Sequence, residues 1–313
     1  MTRSGFARRR APGEHPRGVA LLSALLSVAL LTLIVVEMTD TTLVGSHLTR
    51  NAGNTIAAQL LARSAVVAAE AVLVQMRQQY KDKTALGQGW DIPFPDVPVA
   101  DGAAAFAIED EQGKLDLNNV GDATQAEALG RLFEELDVDP ALVGKIAQWI
   151  QKDESGAASP EAQSICALTV PCAPPGGPLR SLDELALIEG FDPATIERLR
   201  PFVTAYGRKG HLGVNVNTAR SQVLQALLCE VGSEYRPPLG GYDPDSLAEL
   251  VCEITDRQKF LRTNSDVFSV QARGSVGDTT ETVFALIDRK GGRTTRLAWR
   301  ERPVFAVAPI GLP

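Results

Sequence analysis

The chain has 313 residues, of which 44% are hydrophobic and 22% are charged, and its formal net charge is −7. A chain of this length can bury a sizeable core and is expected to hold two domains or subdomains. The acidic balance argues against nucleic acid as a partner, because phosphate contacts need clustered Lys and Arg side chains.

The first element is an uncharged apolar run from Val19 to Val36. Its 18 residues would rise about 27 Å as a helix, close to the roughly 30 Å hydrocarbon core of a bilayer. A basic leader precedes the run and contains Arg3, Arg8, Arg9, Arg10 and Arg17 against one acid, Glu14. Because positive charge stays on the side that does not cross, the run predicts a transmembrane helix with the residues after Glu37 exported.

The junction between leader and apolar run indicates how the chain is processed. A secretory signal peptide has its cleavage site after the apolar run, whereas the small-residue junction here, Gly18-Val19, lies before it. This order resembles a class III, prepilin-type leader, which implies cleavage between Gly18 and Val19 and a pilin-like subunit that keeps its apolar helix. The alternatives are an uncleaved signal anchor and a buried core helix, and the basic flank argues against the second.

A long helix is predicted to continue beyond the membrane to Tyr80, because no proline occurs between Arg17 and Pro93. Gly45 and Gly53 count against an unbroken helix, since each costs about 1 kcal/mol relative to Ala. Apolar residues recur at steps of three to four, with some slippage, at Ile56, Leu60, Val67, Ala71 and Val74. This periodicity predicts that their face packs on a globular domain.

The exported body alternates between strand and helix patterns. Trp90 to Gly102 is predicted to be a loop, and strands are predicted over Ala103–Asp110, Lys114–Leu117, Val267–Arg273, Glu281–Asp288 and Arg293–Trp299. The helical pattern from Asn118 to Leu261 predicts helices over Thr124–Leu136, Pro140–Gln151, Ser181–Ile188, Pro193–Val203, Ala219–Cys229 and Pro244–Arg262. Capping or proline signals mark three of these starts, at Asp139-Pro140, Ser181 with Glu184, and Asp192-Pro193. The economical account is an α+β, pilin-like fold: a long N-terminal helix packed on a small antiparallel sheet, with a large helical insertion.

The predicted domain boundaries follow from this order. They are a leader at 1–18, a transmembrane helix at 19–36, its periplasmic continuation at 37–80, a pilin-like domain from 81–117 and 263–313, and an inserted helical domain at 118–262. Two segments of the insertion, Leu179–Leu185 and Val214–Ala219, resemble pieces of helix-hairpin-helix or SAM-like repeats. Such hairpins often bind DNA, but the turn Glu189-Gly190-Phe191-Asp192 carries two acids that would repel phosphate, which favours a structural use.

The four cysteines fall into two local sets, Cys166 with Cys172 and Cys229 with Cys252. In an exported domain they indicate disulfides rather than metal ligands or a nucleophile. Of the three possible pairings we expect the one between nearest neighbours, and a buried, reduced pair is the alternative.

Four features in order resemble the type II secretion system minor pseudopilin K family. They are the Gly18-Val19 junction, Lys114–Asn119, Leu179–Leu185 and Val214–Ala219. The resemblance implies cleavage and N-methylation of Val19 by the prepilin peptidase. It also implies assembly with minor pseudopilins I and J and other pseudopilus subunits, in the inner membrane of a Gram-negative bacterium with the body in the periplasm.

Ser23 departs from ordinary pilins, which have a glutamate at the fifth mature position. A carboxylate within the bilayer is costly unless it is paired, and its partner is the free amine of the preceding subunit. Ser23 cannot form this pair with a subunit above, although the Val19 amine can receive one from below. The substitution therefore suits a subunit at the tip.

Relatives bind calcium after a Trp-Ile pair, here Trp149-Ile150, and the candidate ligands in this chain are Asp153, Glu154 and Glu161. Calcium prefers six to eight oxygen ligands with several carboxylates, so three with Lys152 adjacent make a poor site. A solvated loop is the better interpretation, and no cofactor is expected to be required.

Enzyme interpretations find little support, because no Gly-x-Ser-x-Gly elbow, phosphate-binding loop or His-Glu-x-x-His pair is present. We therefore expect a non-catalytic pseudopilin that initiates and caps the pseudopilus for export of folded proteins across the outer membrane. The alternatives are a tip minor pilin of a type IV pilus and a periplasmic helix-hairpin-helix protein that binds DNA.

Overall fold

The structure is a computed structural model that describes residues 17–81, 83–152, 159–167, 176–207, 213–228, 241, 260–290 and 293–301. The chain divides into two compact units, residues 1–54 and 55–313. Helix α1 (Arg17–Tyr80) supplies all of the described part of the first unit and continues into the second without a break at Gly45 or Gly53.

The described residues of the second unit form one antiparallel sheet of five strands in the order β1-β2-β7-β8-β9. The strands are β1 (Phe94–Val99), β2 (Gly102–Asp110), β7 (Val267–Val276), β8 (Thr279–Lys290) and β9 (Arg293–Glu301). Strands β2 and β7 pair along their whole length, from Gly102 opposite Val276 to Asp110 opposite Phe268. The segment between them therefore leaves and re-enters the sheet at adjacent points, as an insertion must. The predicted α+β, pilin-like fold is confirmed.

Strand β1 corrects the prediction that Trp90 to Gly102 is a loop. Phe94–Val99 pairs with β2 at the edge of the sheet, and all six of its residues are exposed. Pro95 and Pro98 concealed the strand, since proline is expected in a sheet only at an edge, where its missing N–H removes no necessary hydrogen bond. The register is irregular between Phe94 and Val97, which contains Pro95.

In its described residues the insertion is helical with two very short parallel strand pairs. The helices found there are α2 (Ala123–Glu135), α3 (Ala141–Ile150), α4 (Pro160–Ser164), α5 (Pro193–Leu199) and α6 (Ser221–Leu227). Strand β3 (Leu115–Asp116) pairs with β4 (Val203–Thr204), and β5 (Val214–Asn215) pairs with β6 (Leu261–Arg262). Short 3₁₀ turns cover Glu111–Gly113, Leu117–Asn119 and Leu182–Leu187.

The strand pairs shorten several predicted elements. Helix α5 ends at Leu199 because Val203 and Thr204 pair with β3. The predicted strand Lys114–Leu117 keeps only two residues, since the 3₁₀ turn begins at Leu117. Leu261 and Arg262, predicted to end a helix, form β6, and residues 244–259 of that prediction lie outside the described residues.

Two hydrophobic clusters make up the described core. One lies within the insertion and includes Phe133, Ile146, Trp149, Leu185 and Leu224. The other lies between α1 and the sheet and includes Val66, Leu73, Trp90, Phe106 and Phe268.

The face of α1 that packs on the sheet is not the face predicted. The buried residues are Ala58, Ala62, Ala65, Val66, Ala69 and Leu73. Ile56, Leu60 and Val67 are instead 60%, 56% and 53% exposed. The sheet approaches the helix so closely that alanine suits the contact. A Cβ on Gly274 of β7 would collide with the backbone of Ala58 and Ala62.

Candidate functional site

The N-terminal part of α1 has the properties of a membrane anchor. Every described side chain from Val19 to Val36 is exposed, and the helix that contains them is the one described element long and apolar enough to cross a membrane. The Ser23 hydroxyl donates to the Ala20 carbonyl at 3.0 Å, and Ser27 donates to the Ser23 carbonyl at 2.8 Å. These hydroxyls are satisfied within their own helix, which removes the cost of exposing them to hydrocarbon.

The other predicted site residues lie largely outside the described part of the chain. Cys166 is disulfide-bonded, and Cys172, Cys229 and Cys252 are all outside, so the expected pairing stays a prediction. Asp153 and Glu154 are also outside, and Glu161 lies in α4 with its side chain not described. Among the described residues no group of three His, Cys, Asp or Glu side chains could hold a metal ion.

A buried carboxylate lies where the sheet meets the insertion. Asp110, the last residue of β2, is 5% exposed. Its Oδ2 accepts hydrogen bonds from the hydroxyls of Ser265 at 2.5 Å and Thr218 at 2.6 Å and from Nδ2 of Asn215 at 3.2 Å. Its Oδ1 accepts from the backbone N–H of Gln112 at 2.8 Å. Burial raises the pKa of the Asp110 carboxyl, and these hydrogen bonds lower it by less.

The Val214–Ala219 motif connects three parts of the chain through its two asparagines. Asn215 is fully buried, and its Nδ2 also donates to the Thr84 carbonyl at 3.0 Å and to the Ser265 hydroxyl at 2.7 Å. Asn217 is equally buried and donates from Nδ2 to the Thr263 carbonyl at 3.3 Å. The motif therefore holds the insertion to the loop after α1 and to the segment that leads into β7.

A buried arginine completes this junction from β8. Arg289 is 2% exposed, and its guanidinium donates to the carbonyls of Leu73 at 3.1 Å and Ser265 at 2.8 Å and to the Thr84 hydroxyl at 3.0 Å. It also lies 4.7 Å from the centre of the Phe268 ring. Desolvation, with repulsion from Arg77, lowers the pKa of Arg289 to about 10, so it remains a cation at neutral pH.

The Lys114–Asn119 and Leu179–Leu185 motifs meet inside the insertion. The Asn118 side-chain amide donates from Nδ2 to the Leu179 and Ala205 carbonyls at 3.0 Å each. Its Oδ1 accepts from the backbone N–H of Leu179 at 2.6 Å. The Asp116 carboxylate accepts a hydrogen bond from the backbone N–H of Asn118, and burial raises the pKa of the Asp116 carboxyl to about 6. The two motifs are thus joined by hydrogen bonds across 61 positions of sequence.

The predicted capping box and hairpin turn both have structural roles. The Ser181 hydroxyl accepts from the Asp183 amide, and Glu184 reaches back to the Arg180 amide, one residue before the expected position. In the hairpin turn, Gly190 has a φ of +97° and lies so close to the Leu142 side chain that a Cβ would overlap it. The turn therefore packs against α3.

The sequence motifs were identified correctly, but the residues that form hydrogen bonds with them were not. Asp110, Thr84, Ser265 and Arg289 belong to no local pattern, and they meet only because the insertion returns to the strand beside the one it left. An Asp ending a strand just ahead of a polar turn is a weak signal that such a residue is a cap. The arrangement is chemically a rigid polar joint.

The anchor and this joint together define a class: a pilin-like subunit with a membrane-type helix and a helical insertion. The family model of type II secretion system (T2SS) protein K matches residues 113–208, which contain the Asn118 and Ser181 motifs. Over these residues the chain is similar to the type II secretion system protein K family.

Individual relatives extend the match over most of the chain. The type II secretion system protein K of Klebsiella pneumoniae is 29% identical over 231 residues, covering 68% of this chain and 71% of that protein. The protein K of Pectobacterium carotovorum subsp. carotovorum is 26% identical over 226 residues, covering 66% and 67%. Among solved structures, the GspK-GspI-GspJ complex from enterotoxigenic Escherichia coli contains a chain with the same fold, with a TM-score of 0.70. The two chains are 23% identical, and the match covers 81% of this chain and 98% of that one.

Proposed function

We propose that this minor pseudopilin occupies the tip of the type II secretion pseudopilus, where it initiates and caps assembly with pseudopilins I and J for export of folded proteins across the outer membrane. Protein K in the solved complex is bound to I and J, and this chain shares its fold. The function is non-catalytic and requires no cofactor. Calcium binding at Asp153, Glu154 and Glu161 is not needed for it.

The observation that carries the proposal is the absence of a carboxylate from the apolar part of α1. Val19 to Val36 contains no Asp or Glu, and the Ser23 hydroxyl donates its hydrogen bond to the Ala20 carbonyl of its own helix. The chain then lacks the group that would pair with the amine of a subunit above, while its own amine can still receive a carboxylate from below. A subunit of this kind ends a filament.

Processing and location follow from the same helix. The prepilin peptidase would cut between Gly18 and Val19 and methylate Val19, leaving a single-pass anchor in the inner membrane of a Gram-negative cell. The body would then lie in the periplasm. The exposed apolar surface from Val19 to Val36 supports this placement.

The experiment is capture of the tagged full-length chain from detergent-extracted membranes, with quantification of every pilin-like subunit. We expect I and J to be recovered with a single copy of this chain per complex. In Ser23→Glu a second copy can dock below the first, so more than one copy per complex is expected. The matched control Ser27→Glu places the same carboxylate one turn further on and is expected to retain one copy.

Two outcomes would contradict the proposal. One is recovery of type IV pilus subunits in place of I and J, which would support the minor pilin alternative. The other is several copies of the wild-type chain per complex, which would show that Ser23 does not restrict the chain to a tip.

A further inference from the structure

Helix α1 carries an apolar stripe on the side away from the sheet. Ile56, Leu60 and Val67 repeat at helical spacing and are more than half exposed. Beside Leu60 and Val67 lies a groove of about 470 Å³, whose lining residues are Leu60, Arg63, Ser64, Val67, Arg296, Trp299 and Glu301. The groove thus has an apolar floor from the helix and a polar rim from strand β9.

Ion pairs hold strand β9 beside this stripe. Arg296 donates to both carboxylate oxygens of Glu70, at 2.6 and 2.9 Å. The register of β9 shifts at Leu297, where one residue bulges out of the pairing with β8. The bulge brings Arg296 and Trp299 to the same side of the strand, where the guanidinium lies 4.9 Å from the centre of the indole ring.

The last described residue, Glu301, is fixed at the mouth of the groove. Its carboxylate accepts from Arg63 at 2.7 and 2.9 Å, from Gln59 at 2.5 Å and from the Trp299 indole at 3.0 Å. Two of these donors belong to α1 and sit beside Leu60. The chain therefore leaves the sheet next to the apolar stripe.

The residues that follow Glu301 have the composition of a segment that is buried. Residues 302–313, RPVFAVAPIGLP, contain seven apolar side chains and a single charge, Arg302. Leu60 and Val67 are separated by about 10 Å along the helix, whereas twelve extended residues span up to about 40 Å. The segment can therefore lie along the whole stripe.

We propose that residues 302–313 dock in the α1–β9 groove and cover Leu60 and Val67 with apolar side chains from the Val304–Val307 region. Attachment at Glu301 favours this occupant over a second copy of the chain, because a short tether gives an effective concentration in the millimolar range. The docking is internal to one chain, so it does not depend on the proposed role at a pseudopilus tip.

The test places a photo-crosslinking benzoylphenylalanine at Phe305 in the full-length chain, purified in detergent, and maps the crosslinked peptides by mass spectrometry. We expect a crosslink to the Leu60–Val67 peptide whose yield does not change with protein concentration. The same probe at Glu135, an exposed position on α2, is the control and should not label that peptide.

Variants of the stripe give a second measurement. Leu60→Ser with Val67→Ser should lower the crosslink yield by about tenfold or more, since burial of one such side chain contributes at least that factor. Ala68→Ser, at a neighbouring exposed position, should leave the yield unchanged. A crosslink between copies that increases with concentration, or a yield unaffected by the double variant, would overturn the proposal.

Discussion

Replacing Gly274 with valine is expected to detach α1 from the sheet and to lower the free energy of unfolding by about 3 kcal/mol or more. A Cβ at this position would overlap the Ala58 carbonyl oxygen and approach the Ala62 amide and the Leu61 side chain. Two of these three neighbours are backbone atoms, which cannot rotate away. The helix and strand would have to move apart, exposing the cluster around Val66 and Phe106.

The measurement is urea unfolding of the full-length chain in detergent, followed by tryptophan fluorescence. Trp90 reports on this cluster because it packs edge-to-face on Phe268 with ring centres 5.5 Å apart. Gly144→Ala is the matched control: the residue lies in α3 with open space around it, and the change should stabilise by up to about 1 kcal/mol. A Gly274→Val chain as stable as wild type would show that α1 does not pack this closely on the sheet.

Replacing Arg289 with methionine is expected to cost about 3 kcal/mol, because it removes a charged donor from three buried acceptors. The acceptors are the carbonyls of Leu73 and Ser265 and the Thr84 hydroxyl. The change also removes a cation that stabilises the charged form of the buried Asp110 carboxyl. Methionine fills a similar volume, so the loss reports on hydrogen bonding more than on packing.

Arg296→Met is the control for this change. Arg296 donates to both carboxylate oxygens of Glu70, but its side chain is 41% exposed, and partly exposed pairs contribute at most about 1 kcal/mol. Urea midpoints of the two variants give the comparison. If the two substitutions cost the same, the buried joint would add no more to stability than a surface ion pair.

Much of the fold was predictable because its signals are local. The uncharged run after Arg17 identifies the anchor, and alternating apolar residues identify β2, β7 and β8. A cap-then-proline signal also placed the start of helix α5, where Asp192 does accept a hydrogen bond from the Thr195 backbone N–H. Each signal is complete within a few residues, so no knowledge of the tertiary structure was needed.

The packing face of α1 and the buried joint could not be predicted, for different reasons. A face of Ala58, Ala62 and Ala69 has little hydrophobic contrast, and it is buried because Gly102 and Gly274 allow the sheet to approach. The joint depends on Asp110 meeting Asn215, which lies 105 positions later. Only the path of the insertion brings these side chains together. The motifs could therefore be recognised from the sequence, whereas their hydrogen-bonding role could be seen only in the structure.

The most direct test of the claim that this chain is a processed pseudopilin is its intact mass after extraction from membranes with and without an active prepilin peptidase. We predict loss of Met1–Gly18 and addition of one methyl group at Val19 when the peptidase is active, and an unaltered chain when it is absent. An uncut chain in the presence of active peptidase would contradict the account and would leave a membrane-anchored protein that cannot enter a pseudopilus.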